Sequence, residues 1–146
     1  MLMRVEELVA KGIASIENGH THLALVCFER AAEIERSPTV CSGLGYCLAA
    51  VRGELEKGID FCQEAIDREP DNTFHYRNLG NVLILAGNRG EAIEAYRKGL
   101  HIRKDEWIIR KMDALGTRKP PVIESLSREH FLNRSLGIIL NRLGFR

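Results

Sequence analysis

The stretch TFHYRNLGNVLILAGNRGEAIEAYRKGLHIRKDE, residues 73–106, decides the fold of this chain. Its pattern of residue sizes occurs twice more, in the residues that precede it. Four sets of positions keep a step of 34 residues: Gly19, Gly53 and Gly87; Phe28, Cys62 and Tyr96; Ala24, Gly58 and Ala92; and Ala31, Ala65 and Gly99. A chain that reuses residue sizes at one fixed interval stacks one supersecondary unit several times. The sequence therefore predicts three copies of a repeated unit.

Each copy has a helical rhythm on both sides of its glycine. The third copy is the most complete, with Tyr76, Leu79, Gly80, Leu83, Ala92 and Tyr96. The matching positions are Cys41, Leu44, Gly45, Leu48, Gly58 and Cys62 in the second copy, and Leu8, Gly12, Ser15, Ala24 and Phe28 in the first. The first helix of the second copy starts one residue early, which indicates one extra residue near Gly53. This 34-residue pattern resembles the tetratricopeptide repeat (TPR) family.

The resemblance implies an all-α fold, a right-handed α-solenoid of three helix pairs. We expect the repeats within residues 3–106, at about 5–37, 38–72 and 73–106, followed by a capping helix at 105–115. Gly12, Gly45 and Gly80 should let the first helix of each pair approach its partner closely. A glycine inside a helix costs about 1 kcal/mol relative to alanine, so tight packing is the expected reason for its recurrence.

The chain after residue 115 does not continue the repeat. Residues 116–127 contain Pro120-Pro121 and are predicted to form an extended linker. Residues 128–146 are predicted to form an amphipathic helix, because apolar side chains recur there at spacings of 3–4. They are Phe131, Leu132, Leu136, Ile139, Leu140 and Leu143.

The composition is that of an ordinary globular protein, with 45% apolar and 28% charged residues. No apolar run has the roughly 20 residues that span a bilayer. The first residues run into an acidic amphipathic helix and do not resemble a signal peptide. The cysteines Cys27, Cys41, Cys47 and Cys62 have no Cys-x-x-Cys spacing and are interpreted as reduced core residues. We therefore expect a cytoplasmic protein without a membrane span.

The charge is unevenly distributed along the chain. Residues 1–96 carry a net charge of −6 and residues 97–146 a net charge of +7. Binding of nucleic acid through the basic end was weighed, with Arg103, Lys104, Arg110, Lys111, Arg118 and Lys119 as its cations. That hypothesis is disfavoured, because Trp107 is the only aromatic residue there that could stack on a base.

No pattern for catalysis, a cofactor or a metal is found. Gly87-Asn88-Arg89-Gly90 lacks the Lys-Ser/Thr of a phosphate-binding loop, and the His-Glu-x-x-His and Gly-x-Ser-x-Gly motifs are missing. His20 and His22 share a turn and are interpreted as polar surface residues, although a two-ligand metal site is conceivable there. We assign no catalytic, cofactor-binding or metal-binding residue.

In the tetratricopeptide repeat family, the first helix of each pair lines a concave groove that holds peptides or helices. The resemblance makes ten residues candidates for that groove: Val9, Ile13, Ile16, Ser42, Tyr46, Ala49, Phe74, Arg77, Asn81 and Ile84. Tyr46 depends on the extra residue inferred near Gly53. Under a strict step of 34 residues, Cys47 would take its place.

The chemistry of these candidates favours one kind of ligand over another. Some grooves of this family hold the terminal carboxylate of a chaperone tail with lysines and asparagines, but here Val9 and Ile13 cannot donate a hydrogen bond. Arg77 and Asn81 are the only donors that remain. The groove is therefore predicted to be mostly apolar with one polar end, which suits a partner peptide or an amphipathic helix.

The sequence thus indicates a non-enzymatic protein–protein interaction module, an adaptor or scaffold that binds a partner protein. The alternative is a self-associating structural protein in which helix 128–146 occupies the groove, in the same chain or in a swapped dimer.

Overall fold

The computed structural model describes residues 3–116 and 141–144, and all regular structure in these residues is helical. Seven helices follow one another: α1 Val5–Glu17, α2 Thr21–Ile34, α3 Pro38–Arg52, α4 Leu55–Arg68, α5 Thr73–Leu85, α6 Arg89–Ile102 and α7 Glu106–Ala114. The chain divides into two compact units, residues 1–112 and residues 113–146. The three helix pairs lie in the first unit.

Contacts between helices follow the order of the chain. Helices α1 and α2, α3 and α4, and α5 and α6 pack as pairs, and α2 also contacts α3 while α4 contacts α5. The first helices of successive pairs touch as well, since α1 contacts α3 and α3 contacts α5. This nearest-neighbour packing is typical of a stacked repeat, and it confirms the prediction of an all-α solenoid of helix pairs.

Missing side chains bring the two helices of each pair together. A Cβ atom on Gly12 would lie 2.8 Å from the Phe28 ring, and one on Gly80 would overlap the Tyr96 ring. The middle pair has Cys62 in place of the aromatic residue, and there the backbones themselves approach. A Cβ on Gly45 would lie 2.8 Å from the carbonyl oxygen of Gly58. The expected role of the three first-helix glycines in close packing is confirmed.

The extra residue of the second repeat lies at the end of α3. Helix α3 has 15 residues and ends directly at Gly53, whereas α1 and α5 have 13 residues each. Gly53 has a φ of +69°, a left-handed conformation that favours glycine. The Glu54 amide then donates to the Leu48 carbonyl, six residues back, where the equivalent bonds after α1 and α5 reach back five residues. This geometry confirms the one-residue shift.

Helix α7 packs on the third pair through its first turn. Ile108 is fully buried, and its Cδ1 atom lies 3.2 Å from the place of a Cβ on Gly99. The Asp105 carboxylate accepts a hydrogen bond of 3.0 Å from the Ile108 amide and so starts the helix. The predicted capping helix thus has a buried anchor on α6.

The second unit is described only in part. The predicted linker at 116–127 lies outside the described residues except for Gly116, and the predicted helix at 128–146 does so except for residues 141–144. Leu143, one of the expected apolar positions, is exposed. None of the helices described has the length and apolar character needed to cross a membrane.

Candidate functional site

The first helices carry five half-buried side chains from the predicted groove. These are Val9 and Ile13 on α1, Tyr46 on α3, and Phe74 and Ile84 on α5. Each of the first four also packs against the core, with Val9 next to the cluster of Leu8, Ala31 and Val40. Tyr46 is half-buried while Cys47 is fully buried, which agrees with the shifted register and not with the strict one.

Three other candidates are buried in the interior, which corrects their placement on an accessible face. Ile16 belongs to the core cluster around Phe28, and Ala49 packs with Cys62 and Val82. Ser42 is fully buried between α3 and α5. A first helix in this fold is covered on two sides, by its own partner and by the next pair. A spacing of 3–4 residues therefore does not by itself separate the open side from the covered ones.

Ser42 is buried because it belongs to a hydrogen-bonded line between the second and third repeats. Its Oγ atom lies 2.7 Å from Nδ1 of His75, and Nε2 of that ring lies 3.2 Å from a carboxylate oxygen of Glu69. The Asn78 amide also donates to the Ser42 hydroxyl at 3.3 Å. The line is consistent with Nε2–H donating to Glu69 and the Ser42 hydroxyl donating to Nδ1.

This line resembles the order of groups in a nucleophilic triad, but it does not form an accessible site. The Ser42 side chain and the His75 ring are both fully buried, so a substrate has no access to the hydroxyl in this conformation. The contacts join α3 to α5 and to the turn before it, and buried polar groups that satisfy one another help to fix a single packing. We interpret the line as a register contact between repeats.

The buried ring makes stability depend on pH. Burial lowers the pKa of His75, and the bond to Glu69 only partly opposes that shift. Between the usual pKa of about 6.5 and the lower value in the folded protein, the unfolded chain binds the proton first. We therefore expect the free energy of unfolding to fall as the pH drops below about 6.5, by up to about 1.4 kcal/mol per pH unit. Urea unfolding at several pH values measures this slope.

The His75→Gln variant should lose this share of the pH dependence, although it also loses part of the hydrogen-bonded line. His101→Gln is the matched control, because His101 lies exposed on α6. An identical slope between pH 6.5 and 5 in the His75 variant and the unchanged protein would contradict the assignment.

The two remaining candidates, Arg77 and Asn81, lie four residues apart on α5 and are each 5% exposed. The Asn81 Oδ1 atom accepts a hydrogen bond of 2.7 Å from the Tyr96 hydroxyl. The Arg77 guanidinium lies 5.2 Å from the centre of the Phe74 ring and 5.3 Å from that of Trp107. Both polar candidates are thus held in place by aromatic residues of neighbouring helices.

A concave pocket of about 640 Å³ opens beside Arg77. It joins helices α1, α3, α5 and α7, and its lining is Ile13, Glu17, Thr39, Asn72, Phe74, Arg77, Arg103, Lys104, Asp105, Glu106, Trp107 and Arg110. Successive first helices therefore share one open face.

Trp107 is a pocket residue that the sequence reading assigned to packing alone. Its ring contacts Tyr96 edge to face, with 6.4 Å between ring centres, and it also lines the pocket. A signal for this second role exists in the chain. Trp107 lies 34 residues after Thr73, the first residue of α5, so α7 occupies the place of another first helix and extends the same face.

The cysteines are free and buried, as the sequence suggested. Burial raises the pKa of the Cys47 thiol to about 12 and that of Cys62 further. A thiol with a raised pKa is a poor nucleophile and a poor metal ligand. Within the described part of the chain, no three histidine, cysteine or acidic side chains are placed to hold a metal ion.

Comparison with known families agrees with the helix pairs and the repeated glycines. The tetratricopeptide repeat family profile matches residues 76–106, the third repeat. The chain is a tetratricopeptide repeat protein. A curated relative of this TPR protein is the small glutamine-rich tetratricopeptide repeat-containing protein 2 of Mycosarcoma maydis, 26% identical over 111 residues. That match covers 75% of this chain and 31% of the relative, so the chain spans about a third of the relative's length.

Two solved structures share the fold of this TPR protein. The Sgt2 TPR domain from Aspergillus fumigatus has a TM-score of 0.54 at 21% identity and covers 89% of this chain and 93% of its own. The first TPR of Spaghetti, bound to an HSP90 peptide, has a TM-score of 0.57 at 15% identity and covers 77% of this chain and 96% of its own. At these identities the similarity establishes the fold alone.

Proposed function

We propose that this TPR protein is a non-enzymatic protein–protein interaction module, which binds a partner peptide or amphipathic helix on the face formed by its first helices. The observation that carries this proposal is the pocket of about 640 Å³ that α1, α3, α5 and α7 line together. A ligand lying along this face would contact every repeat at once. Extended or helical segments are suited to such a surface, because their anchors recur along one line.

The chemistry of the face supports a mixed ligand. Ile13, Tyr46 and Phe74 present half-buried apolar surface, and Arg77 adds a charge beside them. By analogy of fold, the Spaghetti domain with its HSP90 peptide is an example of a protein ligand on a similar scaffold. The four buried free cysteines suit a reducing compartment, and we place the interaction in the cytoplasm.

Site-specific photo-crosslinking tests the proposal in cells that express the intact chain. A photoreactive phenylalanine analogue at Ile13 or Ile84 should form a defined adduct with a partner protein, and mass spectrometry identifies it. The adduct should disappear when Arg77→Glu is added to the Ile13 derivative, since that change places an acid at the centre of the face. The same analogue at Val26, which is 45% exposed on α2, is the matched control. Equal crosslinking from Val26 and Ile13 would contradict a binding face on the first helices.

The self-associating alternative drawn from the sequence uses residues 128–146 as the ligand, in the same chain or in a swapped dimer. Its support is the spacing of apolar residues in that segment. Removal of residues 117–146 would then increase the binding of a hydrophobic dye, and light scattering would separate a swapped dimer from a monomer. A truncated chain with unchanged mass and unchanged dye binding would exclude the alternative.

A further inference from the structure

We propose that Arg77 recognises a carboxylate of the partner, and that Glu17 is an internal competitor which this carboxylate displaces. The inference rests on the proposed function and specifies what the partner must carry. It differs from a clamp of lysines and asparagines along the groove, because it uses one arginine held between two aromatic rings.

The guanidinium of Arg77 is held in position by its surroundings. Phe74 on α5 and Trp107 on α7 both lie within 5.3 Å of its central carbon. Aromatic rings attract a guanidinium and hold it where a planar anion can pair with it. Arg77 is 5% exposed and yet lines the pocket, so its charge is removed from water but lies next to an open space.

The hydrogen-bonding capacity of Arg77 is largely unused. Nε and Nη2 are buried and have no hydrogen-bond partner among the described residues. These two atoms form the edge of the guanidinium that binds both oxygens of one carboxylate. A buried donor without a partner costs about 1–3 kcal/mol, and more when it is charged. A carboxylate that reaches this edge therefore satisfies two donors at once.

The third nitrogen, Nη1, has only distant acidic neighbours. It lies 3.6 Å from Oε1 of Glu17 and 3.8 Å from Oδ2 of Asp105, and both distances exceed that of a good hydrogen bond. The Asp105 carboxylate is 13% exposed and is held by the Ile108 amide at the start of α7. The Glu17 side chain is 52% exposed at the end of α1, so this ion pair is weak.

These differences make Glu17 the group that a ligand replaces. A carboxylate arriving from the pocket draws the guanidinium away from Glu17 and turns its Nε–Nη2 edge toward the open side. Glu17 can swing into water without breaking a contact of the core. Asp105 stays in place and keeps starting α7.

The charges around the pocket fit an acidic ligand once Glu17 has moved. The lining has four basic residues, Arg77, Arg103, Lys104 and Arg110, and three acidic ones, Glu17, Asp105 and Glu106. Lys104 and Glu106 pair with each other at 2.9 Å. Displacement of Glu17 therefore leaves an excess of positive charge beside the incoming carboxylate.

The test uses the full chain labelled with ¹⁵N, and the probe is N-acetylglutamic acid α-amide, which has a side-chain carboxylate only. We expect the Nε–H resonance of Arg77 to shift in a saturable way at constant ionic strength. The neutral N-acetylglutamine α-amide should leave it unchanged. N-acetylalanine, with a terminal carboxylate only, shows which source of carboxylate the site prefers.

Three variants then separate recognition from general charge. Glu17→Gln should tighten binding of the acidic probe about three- to tenfold, because the competitor is gone. Arg77→Lys should weaken it by a similar factor, since lysine keeps the charge but lacks the two-atom edge. Glu33→Gln makes the same charge change at an exposed position of α2 and should have no effect beyond it.

Weaker or unchanged binding in Glu17→Gln overturns the proposal, as does a fixed Arg77 resonance in the unchanged protein. The second measurement needs no variant, so the proposal stays testable even if a substitution at Arg77 prevents folding. A partner that crosslinks to the first helices but does not respond to these changes would overturn acid recognition and leave the interaction module standing.

Discussion

Replacing Tyr96 by alanine should destabilise the protein by about 3–5 kcal/mol, the range for removal of a large buried aromatic side chain. The Tyr96 ring is fully buried and fills the space that Gly80 leaves open on α5. It also contacts Trp107 on α7, and its hydroxyl donates to Asn81. Its removal therefore loosens three helices at once. Equilibrium urea unfolding, followed by circular dichroism, measures the loss.

The Tyr96→Phe variant separates the ring from the hydroxyl. It keeps the packing and removes the buried hydrogen bond to Asn81, so a smaller loss of about 1–3 kcal/mol is expected. A loss below about 1 kcal/mol in the alanine variant would show that the ring does not hold α5 and α6 together.

Replacing Gly45 by leucine should be at least as damaging, and we expect a chain that folds poorly or has lost several kcal/mol of stability. A Cβ at this position would lie 2.8 Å from the carbonyl oxygen of Gly58 and 2.9 Å from Cβ of Phe61. Neither atom is the end of a flexible side chain, so relief requires α3 and α4 to separate. Expression level and thermal unfolding of the purified variant measure the effect.

Gly90→Leu is the matched control for this substitution. Gly90 lies in the first turn of α6, and a Cβ there would have no neighbour within 4 Å. The change should be neutral or slightly stabilising, since leucine favours a helix by several tenths of a kcal/mol over glycine. Equal destabilisation by both substitutions would mean that loss of glycine, and not helix separation, causes the damage.

Local residue sizes were sufficient to predict the repeat and its helices. Every helix lies within two residues of the range expected from the pattern, because caps, turns and glycines act over a few residues. The displaced Gly45 likewise predicted the longer α3, since an extra residue must be absorbed within one turn.

The side chains on the open face could be predicted only in part. Ile13, Tyr46 and Phe74 are half-buried as expected for a groove, whereas Ile16, Ser42 and Ala49 are buried. Both groups lie on first helices at helical spacing. Their difference depends on where the next repeat lies, which a helical period does not contain.

By itself, the sequence determined a stack of helix pairs with one glycine contact in each pair, because size and turn preferences act between residues close in the chain. Only the tertiary structure decided that Ser42 pairs with His75 and that Arg77 lies between Phe74 and Trp107 beside Glu17. Most of these partners are about 30 or more residues apart, so the packing of one repeat on the next selects them.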